Sequence, residues 1–168
     1  MLLGKDFFSR ECLQAAKSLV GKVLVRHTEN GDIRLRITET EAYCGEDDTA
    51  CHAHKGRTKR TETMYREGGT VYVYLCYGMH YMLNIVTGGT DEPQAVLIRA
   101  CEGFDGPGKL TKKLMIDKSF NGESIVGNSR LCIEDDGKVF EVQSDRRVGI
   151  NYASERDRER LWRFKLKK

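Results

Sequence analysis

The chain has 168 residues, of which 39% are hydrophobic, and a formal net charge of +3. This length predicts one domain that is large enough to bury a substantial core. No apolar run approaches the roughly 18 residues of a membrane-spanning helix, and Met1 to Glu11 lacks the apolar segment of a signal peptide. We therefore expect a soluble cytoplasmic protein whose six cysteines are free thiols.

Positive charge is concentrated in two segments. Lys55 to Arg60 contains four basic residues and no acidic residue, and Glu155 to Lys168 contains seven basic and three acidic residues. Both segments are candidates for contacts with phosphate groups, and a solvated charged surface is the alternative.

The first third of the chain predicts a helix followed by a β-hairpin. The helix runs from about Arg10 to Val20, with Ser9 as its N-cap and Gly21 at its end. The hairpin strands are Lys22 to Arg26 and Ile33 to Thr40, with a turn at Asn30-Gly31-Asp32.

The rest of the chain mixes strands and helices without a βαβ period. Gly45 to Thr61 is a polar loop, and a second hairpin has Tyr77-Gly78 near its tip. The predicted strands are Thr70 to Cys76, Met79 to Val86, Ala95 to Ala100, Leu131 to Ile133, Lys138 to Gln143 and Trp162 to Leu166. Helices are predicted from Gly106-Pro107-Gly108 to Ile116 and from Ala153 to Leu161. This order predicts an α+β fold, one mixed domain over residues 1–168 with a curved antiparallel sheet, flanking helices and a protruding hairpin.

The segment Thr38 to Tyr43, with the sequence TETEAY, ends a strand in two acidic residues. Because apolar and polar residues alternate from Ile33 onwards, Ile37, Glu39 and Glu41 are predicted to share one face. Desolvation raises the pKa of a carboxylate at a core edge, which makes Glu41 a candidate general acid or base. The alternative is that both acids point into water.

The hairpin Thr70 to Val86 is rich in tyrosine. Tyr72, Tyr74 and Cys76 fall on one face, and core packing is an equal alternative for the two tyrosines. Tyr77, at an exposed chain reversal, has little to pack against. It is similar to the apolar wedges that enter DNA between base steps.

Two further motifs favour structural roles. Cys44, Cys51, His52 and His54 lie close together, but they form neither a Cys-x₂-Cys nor a His-x₃₋₅-His pair, so we expect no metal. Gly106-Pro107-Gly108-Lys109 lacks the spacing of a P-loop, and an ordinary helix start is favoured over a phosphate site.

Together, these motifs resemble those of the alkyladenine (3-methyladenine, N-methylpurine) DNA glycosylases. The similar segments, in order, are TETEAY, Asp48 to His52, Arg60 with Met64-Tyr65, Gly69 to Asn84, AVLIRA, GPGKL and Arg147 to Ile150. The resemblance covers nearly the whole chain. It implies a monofunctional enzyme without a cofactor that flips damaged purines out of duplex DNA and hydrolyses the N-glycosidic bond. It also implies a monomer that binds double-stranded DNA and no membrane, associated with the nucleoid if the source is bacterial.

The resemblance implies a role for each similar residue. Glu41 is the acid that activates the hydrolytic water, and Arg99 and the backbone of Val148 help to hold that water. Tyr43, His52 and Tyr74 are the walls of the base pocket, and Asn84 is its selectivity residue. Tyr77 replaces the flipped nucleotide, and contacts with the DNA backbone fall to Lys59, Arg60, Met79 and His80.

Two other functions remain open from the sequence. A non-catalytic nucleic-acid-binding domain would keep the fold and the hairpin, but it has no use for Glu41 beside an anionic ligand. A carbohydrate hydrolase would use Glu39 and Glu41 as its carboxylate pair, since same-face neighbours on a strand lie roughly 7 Å apart. The basic loops and the aromatic wedge have no role in such an enzyme.

Overall fold

The computed structural model describes all residues from 1 to 168. Nine antiparallel strands form one curled sheet with the order β3-β4-β5-β2-β1-β7, in which β6 pairs with β5 and β9 pairs with both β2 and β8. The strands are β1 Val23–Thr28, β2 Gly31–Tyr43, β3 Val71–Cys76, β4 His80–Thr87, β5 Gln94–Cys101, β6 Phe104–Asp105, β7 Leu131–Glu134, β8 Val142–Asp145 and β9 Arg163–Leu166. The predicted α+β fold with an antiparallel sheet is confirmed.

Four short α-helices accompany the sheet: α1 Lys5–Phe8, α2 Cys12–Leu19, α3 Pro107–Lys113 and α4 Glu155–Glu159. The predicted N-cap at Ser9 is wrong, because Ser9 follows α1 and the Glu11 carboxylate accepts hydrogen bonds from the first N–H groups of α2. A carboxylate there also suits the positive end of the helix dipole. None of the helices is long and apolar enough to cross a bilayer.

The predicted strand Lys138 to Gln143 is displaced towards the C-terminus. The side chains of Asp135 and Asp136 accept hydrogen bonds from the N–H groups of Gly137 and Lys138 and hold a tight turn there. The strand therefore begins only at Val142, where β8 pairs with β9.

The main core lies between α2, α3 and one face of the sheet. Ile37 and Ala42 of β2 are fully buried in it, and Thr40 donates a hydrogen bond from Oγ1 to the Ala16 carbonyl of α2 at 2.8 Å. Because Thr40 and Ala42 face this core, Glu41 between them faces the other side of the sheet.

The alternation along β2 is interrupted before Glu41. Ile37 pairs with Cys101, Glu39 with Ala100 and Thr40 with Ile98. The ladder thus skips one residue on each strand, and a bulge of this kind reverses the side-chain alternation. The predicted sharing of one face by Ile37 and Glu41 is wrong for this reason.

The β3–β4 hairpin projects from the sheet as predicted. Val71 and Val73 face the main core, whereas Tyr72 lies in a separate small cluster on the opposite face. At the tip, Tyr77 and Gly78 both have positive φ (52° and 66°), and the Met79 N–H donates to the Cys76 carbonyl at 3.1 Å. This tight reversal leaves the Tyr77 side chain 90% exposed.

Candidate active site

A cleft of about 730 Å³ opens on the face of the sheet opposite α2. Its walls come from the ends of β2 and β5, the β3–β4 hairpin, and the segments 49–61 and 148–152. The structure brings most of the predicted site residues to this cleft: Glu41, Tyr43, His52, Arg60, Tyr74, Tyr77, Arg99 and Val148. Asn84 lies in an adjoining pocket, and Lys59, Met79 and His80 lie outside the cleft.

Glu41 lines this cleft although its side chain has no accessible surface in the folded protein. Its Oε2 accepts a hydrogen bond from the Val148 N–H at 2.6 Å, and its Oε1 accepts one from the Tyr43 hydroxyl at 3.1 Å. Burial raises the pKa of Glu41, and the charge of Arg99 and the two donors oppose that rise. The carboxyl group therefore has the raised pKa and the fixed orientation of a general base.

Arg99 is held between two acidic side chains. Its Nη1 lies 3.9 Å from Glu41 Oε1, and its Nε lies 3.5 Å from Glu39 Oε2. Glu39 also forms an ion pair with Arg163 of β9. Glu39 therefore pairs with two arginine side chains, and its negative charge holds Arg99 in place.

A small aromatic pocket adjoins the cleft, and all four predicted base-pocket residues line it: Tyr43, His52, Tyr74 and Asn84. The His52 ring lies edge-on to Tyr74 with 4.5 Å between ring centroids, and His52 Nδ1 lies 3.0 Å from the Tyr72 hydroxyl. Burial lowers the pKa of His52 to about 4, with smaller contributions from Arg60 and Lys55. The ring is therefore neutral at pH 7, so the pocket walls carry no positive charge of their own.

Asn84 lies on β4 and is 3% exposed. Its Nδ2 donates to the Tyr72 carbonyl at 3.3 Å and to the Met82 carbonyl at 3.4 Å. The two backbone oxygens fix the amide, which leaves its side-chain oxygen without a protein donor in the pocket wall.

Tyr152 is a site residue that the sequence analysis missed. Its side chain lines both the small pocket and the cleft, and its hydroxyl donates to the Ala50 carbonyl at 2.8 Å. Tyr152 is nevertheless 68% exposed, so it stands at the mouth of the pocket. Its sequence surroundings have no period or motif that signals this place.

The two basic segments differ in how their charges are used. The Arg60 guanidinium lies over the Tyr74 ring at 5.3 Å, and Lys59 is exposed beside it, whereas Arg57 forms ion pairs with Glu62 and Asp91. In the C-terminal segment, five basic residues form ion pairs with acidic side chains: Arg156, Arg160, Arg163, Lys165 and Lys167. Most free positive charge near the cleft therefore comes from the first segment.

Met79 and His80 follow the hairpin tip and are both exposed. The His80 ring packs against Gly108, where an added Cβ would lie 2.8 Å from the ring. The glycine-rich start of α3 thus makes room for His80. No group of three or more histidine, cysteine or acidic side chains is arranged to hold a metal ion, and all six cysteines are free.

Comparison of the amino-acid sequence with known proteins identifies a family and similar proteins. The family model described as methylpurine-DNA glycosylase matches residues 6–105 and 102–168. Proteins with the printed name "Putative 3-methyladenine DNA glycosylase" are similar over almost the whole chain. One from Borreliella burgdorferi (strain ZS7) is 45% identical over 178 residues, covering 98% of this chain and 96% of its own length.

Two further relatives, with slightly lower identity, carry the same printed name. The relative from Natranaerobius thermophilus is 40% identical over 191 residues, covering 99% of this chain and 96% of its own length. The relative from Methanocella arvoryzae is 41% identical over 183 residues, covering 97% and 91%. From the family match and these identities, the chain belongs to the methylpurine-DNA glycosylase family.

Proposed function

We propose that this protein is a monofunctional DNA glycosylase that removes methylated purines, 3-methyladenine among them, from duplex DNA and leaves an abasic site. The observation that carries the proposal is the buried Glu41 carboxylate, which lines a cleft directly beside an aromatic pocket. A protein that only binds DNA gains nothing from a buried carboxylate facing its anionic ligand.

The aromatic pocket suits a damaged base better than a normal one. Purines methylated at N3 or N7 carry positive charge, and a tyrosine face attracts a cation by about 0.5 to 2 kcal/mol. The neutral ring of His52 adds no repulsion to such a base. Tyr43, His52 and Tyr74 therefore enclose the flipped base, and the free amide oxygen of Asn84 contributes selectivity.

Glu41 acts on the water that attacks the sugar. As the N-glycosidic bond breaks, the sugar gains oxocarbenium character, and a nearby carboxylate accepts the proton of the water and stabilises the positive charge. Arg99 and the Val148 N–H oppose the rise in the pKa of this carboxylate that burial causes, and the hydrogen bond from Val148 orients it.

The hairpin and the basic loop bind the DNA around the lesion. Extruding a base from the stack costs a few kcal/mol, and a side chain that fills the gap offsets part of that cost. Tyr77 is exposed at the hairpin tip and takes this place. Lys59, Arg60, Met79 and His80 contact the backbone, and the protein acts as a cytoplasmic monomer, on the nucleoid in a bacterium.

A carbohydrate hydrolase is disfavoured by the environment of Glu39. Both carboxylates of such an enzyme act on the substrate, but Glu39 is occupied by Arg99 and Arg163. This leaves one carboxylate for chemistry.

The test is release of free base from duplexes that each carry one defined purine lesion. The proposal expects free methylated base and an intact abasic strand, without trapping of a protein–DNA adduct by borohydride. Lys55 is the only lysine that lines the cleft. If borohydride traps an adduct and the adduct is lost in Lys55→Ala, the monofunctional assignment is wrong. If no base is released from any of the lesions, the proposed activity is wrong.

A further inference from the structure

A buried ion pair lies close enough to Glu41 for the charge of its arginine to act on the carboxylate. Asp48 and Arg147 are only 2% and 5% exposed. Arg147 Nη1 donates to Asp48 Oδ2 at 2.6 Å, and Nη2 donates to Oδ1 at 2.9 Å. Paired bonds of this kind fix the plane and the direction of both groups.

The same two side chains tie together the backbone around Glu41. Arg147 Nη1 also donates to the carbonyl of Ala42, the residue after Glu41, at 2.9 Å. The Asp48 carboxylate accepts hydrogen bonds from the backbone N–H groups of Cys44 and Ala50. The pair thus joins the end of β2 to the segment that begins at residue 147.

Two aromatic rings pack against the guanidinium of Arg147. Its Cζ lies 5.0 Å from the Tyr43 ring centroid and 4.9 Å from that of Trp162. Arg147 therefore has little freedom to change its conformation. The next residue, Val148, has an exposed side chain, and its backbone N–H is the group that donates to Glu41.

We propose that Asp48 and Arg147 are positioning residues that hold the Val148 N–H on the Glu41 carboxylate. The inference rests on the proposed role of Glu41. The charged and titratable groups around Glu41 are Arg99 from β5, Tyr43 from its own strand, and Arg147 and Tyr152 from the segment 147–152. The Val148 N–H is a further donor to the carboxylate, and because it is a backbone group its position depends on the loop that contains it.

The expected consequence is a change in the titration of Glu41. Burial raises its pKa, and the Val148 hydrogen bond opposes that rise. Arg147→Lys keeps both buried charges but loses the paired bonds to Asp48, so the N–H moves away from Oε2 while the burial of Glu41 remains. The pKa of Glu41 then rises further, and the enzyme needs a higher pH to reach its full rate.

The experiment measures single-turnover base release against pH for the wild type, Arg147→Lys and the control Glu159→Gln. Glu159 pairs on the surface with Arg146, which precedes Arg147 in the chain, and it lies outside the site. We expect the acidic limb of Arg147→Lys to move up by about one pH unit, so that the rate below its midpoint falls about tenfold and recovers at high pH. The control keeps the wild-type profile, and lesion-duplex affinity is the same in all three.

A rate loss of Arg147→Lys that is equal at every pH, with a lower Tm, would overturn the proposal, because it would show a purely structural role. If Arg147→Lys does not fold, Asp48→Glu keeps the buried negative charge but changes the paired geometry, and it is measured in the same way. An unshifted limb in that variant also overturns the proposal.

A second readout separates this inference from the proposed function. The carboxyl carbon of Glu41 is followed by NMR through a pH titration in the wild type and in the variant, without DNA. An upward shift in the variant supports the positioning role even if no lesion is excised. If the titration of Glu41 is unchanged in the variant while the wild type excises the base, the positioning role is wrong and the proposed function stands.

Discussion

The β2–β5 ladder skips Thr38 on one strand and Arg99 on the other, and only the paired residues Glu39 and Ala100 separate the two skipped positions. The two irregularities compensate, so the register before them, Ile37 with Cys101, continues after them as Glu41 with Leu97. The side-chain alternation nevertheless reverses, which moves Glu41 from the core face to the cleft face. Arg99, freed from the ladder, reaches the cleft beside it.

The burial of Glu41 predicts a pH-dependent difference in stability between the wild type and Glu41→Gln. Because the pKa of Glu41 is raised in the folded state, its contribution to stability is full below the unfolded pKa of about 4.3 and is lost as pH rises through the folded pKa. Glutamine does not ionise. The Tm of Glu41→Gln relative to the wild type should therefore increase between about pH 4 and pH 7. Thermal melts at both pH values check this, and a relative Tm that falls with pH contradicts it.

Removal of the Tyr77 ring should weaken binding to lesion duplexes. One base–aromatic stack contributes about 1 to 3 kcal/mol, so Tyr77→Ala should shift the extrusion equilibrium back towards stacked DNA by that amount. A fluorescent base next to the lesion should report less unstacking. The Tm should change little, since the side chain is 90% exposed. A Tm several degrees lower with unchanged lesion affinity would make Tyr77 a packing residue.

Neutralising Lys59 and Arg60 together should reduce the salt dependence of binding to undamaged duplex. Each phosphate contact that is lost removes about 0.9 from the slope of log K against log salt concentration. Arg57 provides a matched control in the same loop, because its charge is already balanced by Glu62 and Asp91. An equal effect of Arg57→Ala and the double substitution would assign the loop to general electrostatics instead of specific contacts.

Tyr152 should contribute to the choice of lesion. If its ring lines the bound base, Tyr152→Ala should reduce excision of a cationic methylpurine more than excision of neutral hypoxanthine, by about 0.5 to 2 kcal/mol. Tyr152→Phe keeps the ring and loses only the hydrogen bond to the Ala50 carbonyl. The phenylalanine variant should therefore keep the lesion preference. Equal losses on both lesions in the alanine variant would restrict Tyr152 to a structural role.

Local patterns predict much of this fold but not the way its strands meet. The hairpin tip at Tyr77 follows from a turn signal and the shared face of Tyr72 and Tyr74 from alternation, and the structure confirms both. The reversal at Thr38 does not follow, because its cause is pairing with β5 some sixty residues later. The pair Asp48 and Arg147 was also missed as a structural element, since 99 residues separate two polar side chains that carry no local signal of burial.

The most direct test of the account is the single-turnover rate of Glu41→Gln on a duplex with one methylated purine. We expect a loss of at least about 10²-fold, the lower end for a positioned acid–base group, with lesion affinity and fold retained. Glu39→Gln is the matched control. Glu39 anchors Arg99 without performing proton transfer, so its loss should be much smaller. If Glu41→Gln excises the base within about tenfold of the wild-type rate, Glu41 is not the general base.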